Sequence, residues 1–215
     1  ITGEFAGMKI LEARSKIVEK LQSKGLVEKI EESYVHTVKT CYKCSNLIEP
    51  QIKDQWFLKM KPLAKEAITA IKKNHVEFIP GHYKKISLHW LENIMDWPLS
   101  RQIVWGIPIP AKFCQQGHEV IDIKNTMNEC PQCRGELKKD PDTFDTWFSS
   151  GQWPFATLGF PKGKDFKTFY PTDVMETAGE IIFFWVARMI MLGLYRTKKV
   201  PFKTVYLHGL VLDAK

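Results

Sequence analysis

The spacing of apolar residues predicts three amphipathic helices in the first half of the chain. The first spans about Met8 to Leu26, where apolar residues recur at helical intervals and Gly25 is placed to end the helix. A second begins at Pro62, because proline is favoured in the first helical turn, and Gly81 stops the chain after it. A third is predicted from about Tyr83 to Met95. The apolar residues on the three faces are Ile10, Ala13, Ile17 and Leu21, then Leu63, Ala67, Ile68 and Ile71, then Ile86, Trp90 and Ile94.

Shorter patterns predict strands between and after these helices. Tyr34 to Val38 and Gln51 to Met60 have the composition of strands, and they flank a pair of cysteines. The stretch DWPLSRQIVWGIPIP, residues 96–110, holds three prolines, which confine regular structure to a short strand at about Gln102 to Trp105. No internal repeat and no low-complexity tract interrupts the pattern.

The clearest unit lies near the end of the chain. A strand at Thr172 to Glu176 is followed by a glycine turn, an apolar helix from Glu180 to Tyr195 and a second strand at Thr204 to Leu207. Two strands joined by one apolar crossover helix form a parallel βαβ unit, as in half of a nucleotide-binding sheet. The pattern therefore predicts an α/β fold.

Composition narrows the class of protein. With 44% apolar and 12% aromatic residues among 215, the chain can bury a substantial core. The longest apolar run, Ile181 to Tyr195, contains Arg188 and is shorter than the ~20 residues of a membrane span, so we interpret it as a buried helix. The formal charge of +7 favours an anionic partner such as RNA, although many proteins of this charge bind nothing acidic.

The cysteines predict a metal site. Two Cys-x-x-Cys pairs with no secretory signal ahead of them favour reduced thiols in the cytoplasm over a disulfide framework. The second pair, Cys130-Pro-Gln-Cys133-Arg-Gly, has the form of a zinc knuckle, in which two thiolates hold one ion and the glycine allows a tight turn. Cys114 and His118 lie upstream and complete a tetrahedral Cys3His set. In the alternative, only the three thiolates bind, and His118 is an ordinary surface histidine.

The first pair, Cys41-Tyr-Lys-Cys44, has the spacing of half a zinc site. No second thiol pair remains in the chain to complete it, so either its partner ligands are missing or the pair holds no metal. A redox pair is a further alternative, which is disfavoured because no thioredoxin-like helix is predicted to begin at Cys41.

The segment DTWFSSGQW, residues 145–153, fits neither an alternating strand nor an amphipathic helix. It sets two tryptophans and a phenylalanine among short hydroxyls and one carboxylate, a composition suited to a specific binding pocket. The alternative is a well-packed turn of the core with polar caps.

Several of these stretches together resemble a known family. The order of DWPLSRQIVWGIPIP, the cysteine-bearing insertion, DTWFSSGQWPFATLG, YPTDVMETAGEIIFFWVARMIMLG and VPFKTVYLHGLVLD is similar to that of the valyl branch of the class I aminoacyl-tRNA synthetases. The resemblance covers nearly the whole chain. TGEFAGMKILEARSKIVEKL resembles the last part of that family's inserted editing domain.

The resemblance implies the fold and its division into domains. The expected fold class is α/β: the second half of a Rossmann-type class I catalytic domain, with a zinc-knuckle insertion and the tail of an editing (CP1) domain. Residues 1–35 would end the editing insertion, and 36–100 would form return-linker strands and helices with a half zinc site. Residues 101–215 would form the second half of the catalytic nucleotide-binding domain, with the knuckle at 111–137.

The resemblance also implies an activity. Enzymes of this family activate an amino acid, here valine, with ATP and Mg²⁺ and transfer it to the terminal ribose of tRNA(Val). Their His-Ile-Gly-His and Lys-Met-Ser-Lys-Ser motifs are expected to lie outside residues 1–215, so we expect the chain to be an internal fragment that is inactive alone. The expected partners are valine, ATP and tRNA(Val), and the expected enzyme is a cytoplasmic monomer without membrane contact, with Zn²⁺ as cofactor.

Site residues follow from the same resemblance. Trp105 and Trp147 would line the amino acid pocket, and the structural alternative places both tryptophans in the core. Residues expected at the adenylate, ribose and adenine are Thr177, Ala178, Gly179, Glu180, His208 and Gly209. The order Ala-Gly-Glu departs from the family pattern, which more often has glycine one position earlier and aspartate at the helix start. Glu180 could instead be an acid that stabilises a helix N-terminus.

Three other functions remain open at this level. An isoleucyl enzyme shares the architecture, but IIFFWVARMIM is more similar to the valyl sequence. A stand-alone zinc-ribbon RNA-binding module would explain the charge and the cysteine pairs, but its aromatic residues should lie on a basic surface, whereas Phe183, Phe184 and Trp185 belong to an apolar helix. A zinc-dependent hydrolase needs an open metal position, which thiolate-rich knuckles usually lack.

Overall fold

The computed structural model describes residues 3–41, 44–50, 52–210 and 212–213. The chain divides into two compact units, Ile1–Ile52 and Lys53–Lys215. These units do not divide the chain at residue 35 or 100, and the assignment of 1–35 and 36–100 to an editing insertion and its return linker stays a prediction. None of the helices in the described part of the chain has the length and hydrophobicity that crossing a membrane requires.

The first unit is built around one helix. A 3₁₀ turn at Gly3–Phe5 precedes α1, Ile10–Ser23, and Gly25 follows it with a φ of +64°, so the predicted helix and its glycine stop are confirmed. The predicted strand at Tyr34 to Val38 is wrong. Within the described part of this unit the only strand-like pairing is the isolated bridge between Thr40 and Leu47. Without a neighbouring strand, β-favouring side chains remain unpaired coil, and Val35 is 89% exposed.

The second unit contains the remaining elements. Its helices are α2 (Met60–Lys72), α3 (His82–Glu92), α4 (Thr146–Ser150), α5 (Trp153–Ala156), α6 (Lys164–Phe169) and α7 (Arg188–Thr197). Its strands are β1 (Phe57–Leu58), β2 (Glu77–Ile79), β3 (Trp97–Pro98), β4 (Ser100–Arg101), β5 (Ala111–Cys114), β6 (Glu119–Ile121), β7 (Leu137–Lys139), β8 (Thr143–Phe144), β9 (Thr172–Ala178) and β10 (Phe202–His208). The predicted helices at Pro62 and Tyr83 are therefore confirmed, each beginning one or two residues earlier.

A three-stranded parallel sheet organises this unit. β10 lies between β2 and β9 and runs parallel to both, so the predicted parallel βαβ unit is confirmed. The β9–β10 register runs from the pair Thr172 and Phe202 to the pair Ala178 and His208. β2, which the sequence did not predict, extends the sheet on the other side of β10.

The crossover between β9 and β10 is not one regular helix. A 3₁₀ turn at Gly179–Ile181 leads into a π-helix at Ile182–Ala187, and only then does α7 begin. A helical crossover is thus present where we predicted the helix from Glu180 to Tyr195. The prediction that it is one uninterrupted α-helix is wrong. A π-helix inserts extra residues into the turn, and such insertions are frequent at functional sites. Here it holds Phe183 and Trp185 against the core, whereas Phe184 is 45% exposed.

The main core lies where α2, α3 and the crossover pack on the parallel sheet. Ile71, Val76, Met189, Ile190 and Val205 have no exposed surface. Burial of a side chain of this size contributes about 1.5 to 3 kcal/mol. The core therefore fixes the carboxyl ends of β9 and β10 relative to α3.

Of two further predicted strands, one is much shorter than predicted and the other is absent from the described structure. Of Gln51 to Met60, only Phe57–Leu58 is a strand, α2 begins at Met60, and Gln51 lies outside the described residues. Gln102 to Trp105 is not a strand. Both Arg101 and Pro108 pair with Thr143, so residues 102–107 leave the sheet as an exposed loop between the two pairings. Tertiary pairing of the flanking residues thus determines the conformation of this stretch, which we call the 102–107 loop.

Candidate active site and metal centre

The predicted adenylate residues meet at the carboxyl edge of the parallel sheet. Thr177 and Ala178 end β9, and the register places Ala178 beside His208, the last residue of β10. Gly209 follows directly. Open parallel sheets bind ligands in the crevice beyond the carboxyl ends of their strands. The structure therefore brings these residues together where that rule expects a ligand.

Tyr83 packs against the turn that follows β9. A Cβ atom placed on Gly179 would lie 2.3 Å from Tyr83 Oη and 2.6 Å from its Cζ, well inside contact distance. Only glycine therefore allows α3 to come this close to the turn. Sequence reasoning missed Tyr83, because nothing in the local pattern ties the start of a helix to a glycine in a distant βαβ unit.

Glu176 lies beside His208, one of the two residues predicted at the adenine. Glu176 Oε1 lies 3.4 Å from His208 Nε2, whereas Glu180 is exposed in the 3₁₀ turn. His208 Nδ1 lies 2.9 Å from the Gly209 carbonyl oxygen. Glu176 is one of the residues that sequence reasoning missed, and its position two residues before the end of a strand was the available signal.

Trp147 is held at the start of a short capped helix. The Asp145 carboxylate accepts a hydrogen bond from the Trp147 backbone N–H at 3.1 Å and so caps α4. The half-buried Trp147 ring stacks on Phe184, with centroids 6.0 Å apart. The Trp185 indole donates a hydrogen bond to the Ser150 carbonyl oxygen at 3.2 Å. The segment from Asp145 onward is therefore a helix start packed on the π-helix.

The structure does not bring the two predicted pocket tryptophans into contact. Trp105 lies in the 102–107 loop with 92% of its surface exposed, and no ring contact joins it to Trp147 in the described part of the chain. The structural alternative, with both rings in the core, does not describe Trp105. The assignment of both tryptophans to an amino acid pocket stays a prediction.

Four predicted metal ligands form one cluster. The ligand atoms of Cys114, His118, Cys130 and Cys133 all lie within 4.8 Å of one another. The Sγ atoms of Cys114 and Cys130 are 3.4 and 3.6 Å from His118 Nδ1, and the Sγ atoms of Cys114 and Cys133 are 3.6 Å apart. A tetrahedral zinc ion, with bonds of about 2.3 Å to sulfur and 2.0 Å to nitrogen, spaces its ligands about 3.5 to 3.8 Å apart. The four residues therefore fit such an ion, with His118 in the ligand set.

Two tight turns present these ligands. The first joins β5 to β6, where Gly117 has a φ of +80° and the His118 N–H donates to Cys114 Sγ at 3.3 Å. In the second, the Cys130 N–H donates to the Gly135 carbonyl oxygen, and the left-handed residue is Arg134, with a φ of +59°. The expected tight turn is therefore present, and the Gly135 backbone N–H donates a hydrogen bond to Cys133 Sγ. The left-handed conformation, however, belongs to Arg134 and not to Gly135.

The turn geometry also affects the acidity of the thiols. Burial raises the pKa of Cys114, but hydrogen bonds from the backbone N–H groups of His118 and Gln116, and from the neighbouring thiols, lower it to about 7. A lowered pKa favours the thiolate, which is the form that binds metal. The cluster is therefore chemically as well as geometrically suited to a cation.

Two backbone hydrogen bonds at the first cysteine pair match those at the second of these turns. The Cys41 N–H donates to the Asn46 carbonyl oxygen at 2.8 Å, and the Ser45 N–H donates to the Cys41 carbonyl oxygen at 2.8 Å. Cys130 makes the same two bonds, at the same distances, with Gly135 and Arg134. Ser45 has a φ of +57°, which matches the second knuckle, and Cys44 is exposed. Tyr42 and Lys43 lie outside the described residues.

Comparison with known families identifies the class. Residues 7–215 match the family described as tRNA synthetases class I (I, L, M and V). Because the match covers nearly the whole chain, the chain belongs to this family. The match extends far beyond the predicted knuckle, so a stand-alone zinc-ribbon module is not supported, and neither is a zinc-dependent hydrolase.

Several curated relatives of the chain are named valine–tRNA ligase. The chain is 50% identical to the valine–tRNA ligase of Carboxydothermus hydrogenoformans and 49% identical to that of Dehalococcoides mccartyi, in each case over 99% of this chain and 24% of the relative. The valine–tRNA ligase of Thermotoga maritima is 46% identical over 98% of this chain. The chain spans about a quarter of the length of these relatives.

A solved structure supports the fold. Mycobacterium tuberculosis methionyl-tRNA synthetase bound by methionyl-adenylate matches 84% of this chain and 31% of its own, with a TM-score of 0.55 and 14% sequence identity. At that identity the likeness concerns the fold alone, and it confirms the predicted class I synthetase architecture.

Proposed function

We propose that the chain is a section of a valine–tRNA ligase, which activates valine with ATP and Mg²⁺ and transfers it to tRNA(Val). The observation that carries this proposal is the 50% identity over 99% of the chain to an enzyme of that name. The relatives are about four times as long, so the complete enzyme includes segments outside these 215 residues. We propose that it acts as a monomer in the cytoplasm.

In this proposal the carboxyl edge of the sheet binds the adenylate. Thr177, Ala178 and Gly179 face the nucleotide with backbone at the end of β9, and His208 and Gly209 border the adenine at the end of β10. Glu180 bonds the ribose hydroxyls from the exposed 3₁₀ turn, where its side chain is free to reach a ligand. The close packing of Tyr83 on the turn supports this role, because it holds the backbone of the crevice in one conformation.

The amino acid pocket lies beside it. Trp147 forms one rigid wall, because its helix is capped and its ring is backed by Phe184. Trp105 forms the second wall when the exposed 102–107 loop approaches the bound amino acid. Such a slot discriminates one methylene by only about 1 to 3 kcal/mol and rejects the isosteric threonine poorly. This limit is consistent with the resemblance of the first residues to the end of an editing domain.

The metal has a structural role in this proposal. Cys114, His118, Cys130 and Cys133 bind one Zn²⁺ ion, whose four ligands leave no position for a substrate. Cys41 and Cys44 form half of a second zinc site, supported by their knuckle-like backbone.

Amino acid-dependent exchange of pyrophosphate into ATP tests the activity. In the complete enzyme we expect exchange with valine, and we expect Trp147→Ala to raise the KM for valine by at least about tenfold while the KM for ATP stays within about twofold. Trp153→Ala is the matched control, because Trp153 belongs to the same segment but is 52% exposed. Exchange that depends on isoleucine rather than valine would show that the isoleucyl alternative is correct.

A further inference from the structure

The buried carboxylate of Asp145 joins three separate parts of the chain. Its Oδ2 atom accepts hydrogen bonds from Trp97 Nε1 at 2.8 Å and from Arg101 Nη2 at 2.6 Å. Its Oδ1 atom accepts the hydrogen bond from the Trp147 backbone that caps α4. Arg188 Nη1 lies 3.9 Å from Oδ2. One side chain therefore connects the β3–β4 segment, the start of α4 and the start of α7.

Two guanidinium groups lie beside this carboxylate, and that of Arg188 is the more deeply buried. The Arg188 side chain is 8% exposed, and its Cζ atom lies 3.6 Å from the centroid of the Trp97 ring. Its Nε and Nη1 atoms have no hydrogen-bond partner in the described part of the chain. Burial lowers the pKa of Arg188 to about 10, against the opposing effect of Asp145 and with a smaller lowering by Arg101. Without the negative charge of Asp145, Arg188 would be a buried and unpaired cation.

The connected segments carry the walls of the proposed pocket. Arg101 is the last residue before the 102–107 loop, which bears Trp105. The capped helix α4 presents Trp147. Arg188 directly follows the π-helix, which places Phe184 behind the Trp147 ring. A disturbance at the carboxylate would therefore reach both walls and the residue that supports one of them.

We propose that Asp145 is a positioning residue of the amino acid pocket. Without touching the substrate, its carboxylate fixes the orientation of Trp147 and the start of the loop that bears Trp105, and it thereby sets the affinity and selectivity for the amino acid. The inference rests on the proposed function. A pocket wall must be held to within about 0.5 Å to discriminate by size, and supporting hydrogen bonds of this kind provide that precision.

Asp145→Asn in the complete enzyme tests the proposal, because it keeps the size of the side chain and removes its charge. We expect the KM for valine in pyrophosphate exchange to rise by about tenfold or more, while the KM for ATP changes by less than about twofold. The preference for valine over isoleucine, measured as the ratio of kcat/KM values, should fall, because a loosened slot excludes the extra methylene less well.

Asp122→Asn is the matched control for the loss of a buried charge. The Asp122 side chain is 2% exposed and pairs with Lys112 at 2.9 Å, in the segment that carries the predicted metal ligands and outside the tryptophan segments. It should lower the stability of the insertion and leave both KM values within about twofold of the unaltered enzyme. A comparable rise in the valine KM of this control would overturn the proposal, because it would show a general effect of destabilisation.

Arg101→Met keeps the test decisive if Asp145→Asn does not fold. The Arg101 side chain is 38% exposed, so the variant leaves no buried unpaired cation at this position. It should change the valine KM and the selectivity in the same direction as Asp145→Asn, by a smaller factor. Unchanged valine KM and selectivity in the variants that fold would overturn the inference alone. No valine-dependent exchange in the unaltered enzyme would overturn the proposed function and the inference with it.

Discussion

At the scale of single residues, the missing side chain of Gly179 decides how closely α3 approaches the crevice. The position needs space rather than a special backbone conformation, since Gly179 does not have a positive φ. Tyr83 occupies the volume that a Cβ atom would need, with three of its atoms within 2.7 Å of that point. The packing of this tyrosine therefore restricts the conformation of the turn after β9.

Gly179→Ala is expected to destabilise this edge of the sheet. The added methyl group collides with Tyr83, and overpacking of this kind typically costs about 1 to 3 kcal/mol of unfolding free energy. Hydrogen exchange of β9 and the following 3₁₀ turn should rise. Tyr83→Ala in the same molecule should remove most of the additional cost, because the collision is with its ring and hydroxyl.

Gly209→Ala is the control for this prediction. Gly209 follows the neighbouring strand, and no atom of the described residues lies within 4 Å of the position that its Cβ atom would take. It should leave exchange unchanged. If Gly179→Ala behaves like Gly209→Ala, or if Tyr83→Ala does not relieve it, Tyr83 does not set the geometry of the turn.

At the scale of elements, the three-stranded antiparallel sheet β6-β5-β7 forms around the metal ligands. Its small core consists of Val120 with Cys114 and Cys130, packed against Cys133 and Leu137. Three of these five residues are predicted ligands, so hydrophobic burial alone provides little stability. We therefore expect a metal to order a sheet with so small a core, because metal affinity would then appear as folding free energy.

Chelation is expected to loosen the insertion without disturbing the rest of the unit. Hydrogen exchange between Ala111 and Leu137 should rise by roughly tenfold or more when the metal is removed, while exchange in α7 stays unchanged. Cys133→Ser and His118→Ala should each reproduce this result, because both residues belong to the ligand cluster. A protein without zinc, or with exchange in the insertion that does not respond to chelation, would show that no metal stabilises this sheet.

Periodicity predicted the long elements and failed for the short ones. The helices α1, α2 and α3 and the βαβ unit carry enough amphipathic or alternating positions to be recognised along the sequence alone. The two-residue strands β1, β3, β4 and β8 do not, because their pairing partners are distant in the chain, as in the pairing of Ser100 with Phe144. Tertiary contacts decide such strands.

The residues of the candidate sites show the same difference between local and distant contacts. Spacing alone predicted that Cys130 and Cys133 lie in one cluster, because local chain geometry brings cysteines three residues apart close together. Asp145 and Tyr83 act through partners that are far away in sequence, so no local pattern indicated their contacts. The signal available for Asp145 was an acid placed between aromatic residues, where a buried carboxylate needs several donors.

At the scale of the whole molecule, the parallel sheet has an exposed side. Ile79, Val174 and Tyr206 lie 40 to 59% exposed on its strands, whereas parallel sheets usually have both faces covered. Relatives about four times as long provide further chain that could cover such a face. By resemblance, the motifs that hold the triphosphate also belong to those parts.

The 215 residues alone are therefore expected to show no valine-dependent exchange of pyrophosphate into ATP. Residues that we propose for the amino acid pocket and the adenine site belong to this chain, but the groups that bind the triphosphate are not expected among its residues. The assay compares the isolated chain with the complete enzyme at equal concentration. Exchange above background that Trp147→Ala abolishes would contradict the expectation and would make the chain a self-sufficient catalyst.

The two cysteine pairs should differ in what they need from the rest of the molecule. The second unit contains all four predicted ligands of one ion, namely Cys114, His118, Cys130 and Cys133. We therefore expect the isolated chain to bind one zinc ion tightly. The turn at Cys41 and Cys44 supplies only two thiols with the same backbone geometry, and a tetrahedral ion needs four ligands.

Metal content measured under native conditions tests this difference. The complete enzyme should carry two zinc ions, and Cys44→Ser should reduce that content to one, whereas the same change in the isolated chain should leave its single ion in place. Cys133→Ser is the opposite control, since it should remove the ion from the isolated chain. If the complete enzyme carries one zinc ion and Cys44→Ser does not alter it, the first pair is a knuckle-shaped turn without a metal, and its thiols have another role.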